Sequence, residues 1–349
     1  MYQAIIDFDH LVGSYQAARL GKRYRGEVVR FTAHLEERLL NLHNHLVWET
    51  WGPSPAREFV VMEPKMRRIQ APPFEDRIVH HALVDRVQPL FEQRFIHHSY
   101  ACREGKGVHA AIQALQRMLR QARREWGTVY VVQADVRQFF ASIDHEQAMQ
   151  AVSAVVDCAQ TLGLWWRILQ GYGHDDGFGL PVGALTSQLT ANVQLDGVDH
   201  QMTDDYGAGR YLRYMDDIII LQPSKSAARH RLAQLNYAVT QRGLTLNPKT
   251  HVRPASAGVD WCGYRTWATH ILPRKRNIKR ARRRIAKISA DYRQGRVDLP
   301  EVADQVNSLL AYAKHCDSHR TIHSILDQMD LRRIPREPIE HDDAIHRPA

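Results

Sequence analysis

Tyr214-Met215-Asp216-Asp217 sets two carboxylates side by side between two short apolar runs. Arg210-Tyr211-Leu212-Arg213 leads in, and Ile218-Ile219-Ile220-Leu221 leads out. Both runs are rich in β-branched and aromatic residues, which predicts two strands with the acidic pair at a tight hairpin turn. Two adjacent carboxylates are unfavourable to bury there unless something cationic neutralises them. Mg²⁺ suits that task, because it takes oxygen ligands and is usually held by one or two carboxylates plus substrate phosphates. A third carboxylate fits the same picture. Thr128-Val129-Tyr130-Val131-Val132-Gln133-Ala134 reads as a strand, and Asp135 stands at its end. If that strand neighbours the hairpin in one sheet, the three carboxylates meet. They could then hold two metal ions about 4 Å apart, clamping the attacking and leaving oxygens of an in-line phosphoryl displacement. That is the chemistry of polymerases and nucleases. Alone, Tyr-x-Asp-Asp is a weak pattern, since an Asp-Asp pair is commonly a solvated turn; the flanking strands and Asp135 carry the reading.

The elements that must position these groups can be traced along the chain. The first 60 residues are helical in pattern, with Phe31, Leu35, Leu39, Leu42 and Leu46 at helix spacing until Pro53 and Pro55 break the run. Phe59-Val60-Val61-Met62 reads as a strand, followed by the cationic turn Lys65-Met66-Arg67-Arg68 and a short strand at Ile69-Gln70-Ala71. Helical spacing returns over 76–95 through Val79, Leu83, Val87 and Leu90, and over 109–124, ended by Gly127. A bend and helix through Ile143 and Met149 follow Asp135. The glycine-bearing loop Gly179-Leu180-Pro181-Val182-Gly183 then feeds a helix to about Met202, and another helix lies near 225–242. Between Arg274 and Arg296 there are eleven Lys/Arg and one acidic residue, Asp291, while Ile278, Ile285, Ile288 and Tyr292 fall near one helical face. So large a sign imbalance favours contact with a phosphate backbone over salt-bridge lacing. From about Arg332 the chain is rich in Pro, His and Asp and is expected to fray.

Bulk properties bound the class. A chain of 349 residues can hold two or three subdomains with sizeable cores. The net charge of +9 and pI near 9.5 point to a polyanionic partner, most simply nucleic acid. Cys102, Cys158, Cys262 and Cys316 are scattered without a Cys-x-x-Cys pair, which argues against structural zinc and for a reducing compartment. No apolar run reaches membrane-spanning length and the N-terminus lacks a signal-peptide pattern, so a cytoplasmic protein with no membrane partner is expected. The twenty histidines match no ligand spacing and are read as surface or satisfied-core residues.

Taken in order, these segments resemble the reverse transcriptase family over roughly residues 59–323. Glu63-Pro64-Lys65-Met66-Arg67-Arg68-Ile69 is similar to the fingers strand turn of the bacterial enzymes. Phe74–Leu83 and Ser99–Gly107 are similar to the next two blocks, Asp135–Asp144 to the first palm carboxylate block, and Gly179–Asn192 to the loop and helix beneath the templating base. Tyr214–Asp217 is the second palm block, Gly243–Lys249 resembles the one after it, and Trp261-Cys262-Gly263-Tyr264 resembles the primer grip. Within the family, Gly183-Ala184-Leu185-Thr186-Ser187-Gln188 and the Tyr100-Ala101-Cys102-Arg103 block are similar to reverse transcriptases of diversity-generating retroelements. The Val-Thr-Gly thumb element usual in retron enzymes is not found, and the chain beyond the thumb is expected to lack room for an RNase H, maturase or endonuclease domain.

The resemblance implies an α+β, right-hand polymerase architecture with fingers, a ferredoxin-like palm and a small helical thumb. It divides the chain into an N-terminal helical segment and fingers (1–128), a palm with the catalytic carboxylates and primer grip (129–268), a basic helical thumb (269–331) and a frayed tail (332–349). Asp135 and Asp216, with Asp217 adjoining, are the expected ligands of two Mg²⁺ ions, for which Mn²⁺ can substitute. Lys65 and Arg67 match the positions that clamp the nucleotide β- and γ-phosphates, Arg67 having a surface ion pair as its alternative role. The backbone at Val136 would also hold the phosphates, and Gly183 and Gln188 belong to the nucleotide-binding loop. Phe140 stands at the sugar gate, where a ring clashes with a 2′-hydroxyl; Phe139 is read as core. Val182 replaces a Gln common in relatives, so it is either a fidelity determinant or a packing residue. Lys249 either protonates the leaving pyrophosphate or is simply solvated. Gly263 and Tyr264 would form the primer grip, and Arg280, Arg283, Arg284 and Lys287 would track the duplex backbone.

The expected activity is RNA-directed DNA synthesis on a structured template RNA, yielding cDNA from deoxynucleoside triphosphates. The first role is error-prone copying for a diversity-generating retroelement, with a small accessory protein or an oligomeric partner. An antiphage-defence enzyme making cDNA from a non-coding RNA is the alternative, and a non-catalytic RNA-binding scaffold is a weaker one.

Overall fold

The computed structural model describes residues 1–62, 66–172 and 177–333, and Lys65 and the side chain of Arg67 lie outside that description. The described chain forms two compact units, Met1–Ala257 and Gly258 onward.

The first unit opens with four helices, α1 (Tyr2–Ile6), α2 (Phe8–Arg19), α3 (Gly26–Thr32) and α4 (Leu35–Val47). Leu39, Leu42 and Leu46 on α4 and Leu11 and Tyr15 on α2 bury one stripe each, as the helical spacing requires. A two-stranded hairpin follows, β1 (Arg57–Met62) against β2 (Met66–Ala71), then α5 (Phe74–Glu92) and α6 (Val108–Trp126). The strand β3 (Tyr130–Asp135) leads into three helices, α7 (Phe139–Ser142), α8 (His145–Ser153) and α9 (Ala159–Gly171). The helix α10 (Leu185–His200) runs into a single π-helical turn at Gln201–Asp205. The hairpin β4 (Tyr211–Tyr214) and β5 (Asp217–Gln222), the helix α11 (Lys225–Thr240) and the strand β6 (His251–Pro254) complete the unit.

Four of these strands form one antiparallel sheet in the order β4-β5-β3-β6. With α10 and α11 as its crossovers, the sequence β3-α10-β4-β5-α11-β6 is the split βαβ arrangement of a ferredoxin-like domain. Ile218, Ile219, Ile220 and Leu221 on β5 are all fully buried, so this strand is covered on both faces and shows no alternation. The helix α11 packs on β3, β5 and β6, while α6 packs on β4 and β5.

The helix α10 is buried around most of its circumference although it carries Thr186, Ser187, Thr190, Asn192, Gln194 and Asp199. Buried polar groups persist where they find partners. Thr190 Oγ1 accepts from Trp165 Nε1 at 3.0 Å, and Thr186 Oγ1 lies 2.8 Å from His80 Nδ1. Burial pushes His80 down to about 3, so it is a neutral core histidine.

The second unit has its own three-stranded antiparallel sheet, β7 (Val259–Trp261), β8 (Tyr264–Thr266) and β9 (Ile271–Pro273). Three helices follow, α12 (Lys275–Arg293), α13 (Leu299–Ala313) and α14 (His319–Leu326), closed around Ile285, Leu309, Ile322 and Ile325. The primer-grip candidates Gly263 and Tyr264 therefore lie in the same unit as the basic helix, whereas the sequence divides the chain at 268/269. The four cysteines are free, and among the described residues no helix is long and apolar enough to cross a membrane.

Candidate active site

The register of the central strands brings the acids together. Asp135 pairs directly with Asp217 across β3 and β5, and Tyr214 pairs with Asp217 across the hairpin. Met215-Asp216 is thus a two-residue turn. Met215 takes the left-handed conformation at φ 54, which β-hairpin turns demand and non-glycine residues resist. Val136 N donates to Asp216 O at 3.2 Å, tying the turn to the strand carrying the first carboxylate.

On its other side Asp135 is held by the segment after α11. Asn247 N donates to Asp135 O at 2.7 Å, and Asn247 Nδ2 donates to Asp135 Oδ2 at 2.8 Å. Asn247 Oδ1 accepts from Lys249 N at 3.0 Å, a side-chain turn that fixes the amide's orientation. Sequence reasoning placed Asn247 in a family block without giving it a role; the Asn-Pro step was the available signal.

Like charges directly opposite each other in a sheet are destabilising. Burial pushes the Asp216 carboxyl up to about 7, and the Asp217 and Asp135 carboxylates, with a hydrogen bond to Asp135, add to the rise. Asp216 keeps a partly exposed edge, yet protein surrounds most of it. None of its main charged neighbours is cationic. This all-oxygen donor set fits a hard divalent cation such as Mg²⁺. Among the described residues no group of three or more Asp, Glu, His or Cys side chains is placed to hold a metal ion by itself. Mg²⁺ commonly leaves several positions to water and substrate phosphate, so one or two carboxylates suffice.

The raised Asp216 gives a pH prediction. Ionising it is harder in the folded chain than in the unfolded one. Its contribution therefore favours folding below the ordinary value of 3.8 and is lost as pH rises through about 7. The melting temperature of metal-free protein, compared with Asp216→Asn, is expected to fall relative to the variant between pH 4 and pH 8. Adding Mg²⁺ at pH 8 should recover much of the difference. Parallel profiles for the two proteins across that range would overturn this account.

Of the nucleotide-side candidates, the structure joins two segments. Leu180 N donates to Phe140 O at 2.7 Å and Gly179 N donates to Ile143 O at 2.9 Å, locking the loop before Val182 onto α7. Phe140 is half-buried and meets Phe139 edge-on at 5.7 Å, while Phe139 is buried in the core. Val182 and Gln188 are half-buried, and Gly183 is exposed at φ 104, a conformation that favours glycine. The amide of Val136 is taken up by Asp216 and that of Arg137 by Thr245, so neither faces outward. Lys249 is exposed.

In the second unit Cys262 and Gly263 turn at φ 48 and φ 85. The Gly263 carbonyl accepts from Tyr312 Oη at 2.8 Å and from Asn277 Nδ2 at 3.1 Å. The Tyr264 hydroxyl donates to Tyr312 O at 3.0 Å with the two rings stacked at 4.8 Å. The turn is thus fastened to α12 and α13. Arg280, Arg283, Arg284 and Lys287 are all exposed on α12, opposite the buried Ile285.

The family model for reverse transcriptases (RNA-dependent DNA polymerases) matches residues 61–266, more than half of the chain. Protein YkfC of Escherichia coli (strain K12) is 26% identical over 186 residues, which is 51% of this chain and 49% of that protein. Nuclear intron maturase 1, mitochondrial, of Arabidopsis thaliana is 28% identical over 130 residues, which is 33% of this chain and 17% of that protein. The chain therefore spans about half or less of the length of these curated relatives. A telomerase from Candida albicans, solved in complex with a TWJ fragment of telomeric RNA, superposes with a TM-score of 0.47 at 11% identity, covering 79% of this chain and 56% of that one.

Proposed function

Since this chain belongs to the reverse transcriptase family, we propose that it is an RNA-directed DNA polymerase that copies a template RNA into cDNA by two-metal nucleotidyl transfer. The observation that carries the reading is the β3–β5 register, which sets Asp135 against Asp217 with Asp216 in the adjoining turn. Asp135 and Asp216, with Asp217 beside them, would hold two Mg²⁺ ions or Mn²⁺ in their place. When bound, the ions lower the pKa of the primer 3′-hydroxyl and neutralise the leaving pyrophosphate.

The chain's own residues do the positioning. Asn247 holds the Asp135 carboxylate from one side through Oδ2. With the Val136 and Arg137 amides engaged, contact with the nucleotide phosphates falls to the amides of Gln138 and Phe139, which donate to no described residue. Phe140 bounds the sugar, Lys65 and Arg67 clamp the outer phosphates, and Lys249 is the candidate proton donor for pyrophosphate. In the second unit Gly263 and Tyr264 support the primer end, while Arg280, Arg283, Arg284 and Lys287 contact backbone phosphates without reading sequence.

We assign the chain further to error-prone copying of the diversity-generating kind, in the cytoplasm and with a small accessory protein. The support is Val182 together with Gly183-Ala184-Leu185-Thr186-Ser187-Gln188. An aliphatic side chain at 182 cannot hydrogen-bond an incoming nucleotide, and a site without that bond discriminates less.

Sequencing the RNA and DNA that co-purify from cells with the wild-type chain and with Asp216→Ala/Asp217→Ala tests both levels. The expected result is cDNA with the wild type only, its errors concentrated at template adenines. Faithful or repetitive cDNA would sink the mutagenic role and favour defence. RNA in both samples with cDNA in neither would overturn the polymerase reading and leave an RNA-binding scaffold.

A further inference from the structure

Arg213, three residues before Asp216, is fully buried, and so is Asp199 near the end of α10. Arg213 Nε lies 2.8 Å from both Asp199 Oδ1 and Oδ2. Its Nη2 is 2.7 Å from Oδ2, without the alignment of a hydrogen bond. The Tyr211 hydroxyl donates to Oδ1 at 2.7 Å. A buried ion pair of this kind is a poor source of stability, because an apolar pair of similar volume commonly does as well or better. The pair therefore calls for another explanation.

Its remaining nitrogen supplies one. Arg213 Nη1 donates to Asn192 Oδ1 at 3.0 Å and to Met215 O at 3.1 Å. Asn192 is itself fixed, since its Nδ2 donates to Ala101 O at 2.9 Å. The backbone of Arg213 is pinned as well: its N donates to His98 O at 2.9 Å, and its carbonyl accepts from Tyr100 N at 3.0 Å. The Met215 carbonyl shares one rigid peptide plane with the nitrogen and Cα of Asp216. Met215 also holds the unfavourable left-handed conformation, so that plane has little intrinsic reason to stay where it is.

We infer that Arg213 is a positioning residue. Clamped by Asp199 and Asn192, it fixes the Met215 peptide and thereby the direction in which Asp216 presents its carboxylate to a metal ion. The inference rests on the polymerase reading of that carboxylate. The guanidinium is needed for its shape, since a fork reaches the carboxylate, the amide and the carbonyl together, whereas an ammonium is a single point of charge.

The test uses the full chain with two variants, Arg213→Lys and the apolar swap Asp199→Leu/Arg213→Met. Three quantities are measured: melting temperature, Mn²⁺ binding by electron paramagnetic resonance, and single-nucleotide extension of a primer on an RNA template. The swap leaves the Tyr211 hydroxyl, Asn192 Oδ1 and the Met215 carbonyl without these partners, so it is expected to stay folded but to melt below the wild type. Both variants should bind Mn²⁺ about tenfold more weakly and lose roughly 10- to 100-fold in kcat, with KM for primer–template unchanged, as misoriented metal ligands do. Asn192→Ala, which removes one acceptor and leaves the ion pair, should move the same quantities less; it serves if the other two fail to fold. A folded variant with wild-type Mn²⁺ affinity and kcat within about threefold of wild type would overturn the inference. Wild-type chain that neither binds Mn²⁺ nor extends a primer would overturn the polymerase reading first, and this inference with it.

Discussion

Asp135→Asn is expected to lower primer extension at least about 10³-fold while raising the melting temperature of the metal-free protein. The two effects have one cause. Asp135 faces Asp217 across the sheet and adds to the rise of the Asp216 carboxyl, so folding gathers three acids that repel one another. Removing one charge relieves that repulsion. It also removes a group that would hold the metal, and metal-assisted charge neutralisation is worth several kcal/mol in a phosphoryl transfer, about 4 kcal/mol being 10³-fold. The substitution leaves the architecture intact. Asn247 Nδ2 can donate to the new amide oxygen as it does to Asp135 Oδ2, and Asn247 N bonds the main-chain carbonyl, which does not change. Single-turnover extension and thermal melting, run on the same preparation without and with Mg²⁺, measure both signs. Activity within tenfold of wild type would dismiss Asp135 as a ligand, and an unchanged or lower melting temperature would dismiss the repulsion.

Phe140→Ala is expected to raise the use of ribonucleotides relative to deoxynucleotides by about 10²-fold, the equivalent of roughly 3 kcal/mol of lost steric exclusion. Phe140 is suited to exclusion because its place is fixed by its neighbours: the loop through Leu180 bonds its carbonyl, and Phe139 packs edge-on against its ring. The ring is half-buried, so part of it remains accessible. Phe140→Tyr keeps the bulk and should keep the discrimination, which separates a gate from a general loss of packing. The ratio of kcat/KM for matched ribo- and deoxynucleoside triphosphates gives the answer for each protein. Equal discrimination in all three would remove Phe140 from the nucleotide site.

The carboxylate site was legible because its logic is local. Acids at strand ends stand out against runs such as Ile218–Leu221, and the blocks carrying them fall in the order a split βαβ domain needs. The basic face of α12 was equally plain, since eleven cations with one acid over 274–296 leave no other reading of sign. What escaped was long-range. Arg213 sits in a strand where alternation would turn one residue in two outward, yet Tyr211, Leu212 and Arg213 are all buried because both faces of β4 are covered. Its partners lie 14 and 21 residues earlier on α10, and nothing in either segment announces the other. The helix α9 also went unread. It lacks a side-chain cap and an acidic first turn, and Gly163 interrupts it, so its two tryptophans and three leucines lacked the usual boundary signals. The π turn after α10 has no sequence signature at all.

The clasp between Asn247 and Asp135 spans 112 residues of chain. On a ribosome, the strand bearing Asp135 is made long before the segment that secures it. Through that interval the nascent protein has the acids but neither their final neighbour nor the last strand of the sheet, β6. The Asn247–Asp135 clasp therefore closes late in making the first unit, because so distant a contact must await the chain that supplies it. A chain cut short before Asn247 would lack that clasp on Asp135 and the pairing of β3 with β6, although β3 and β5 already set Asp135 against Asp217.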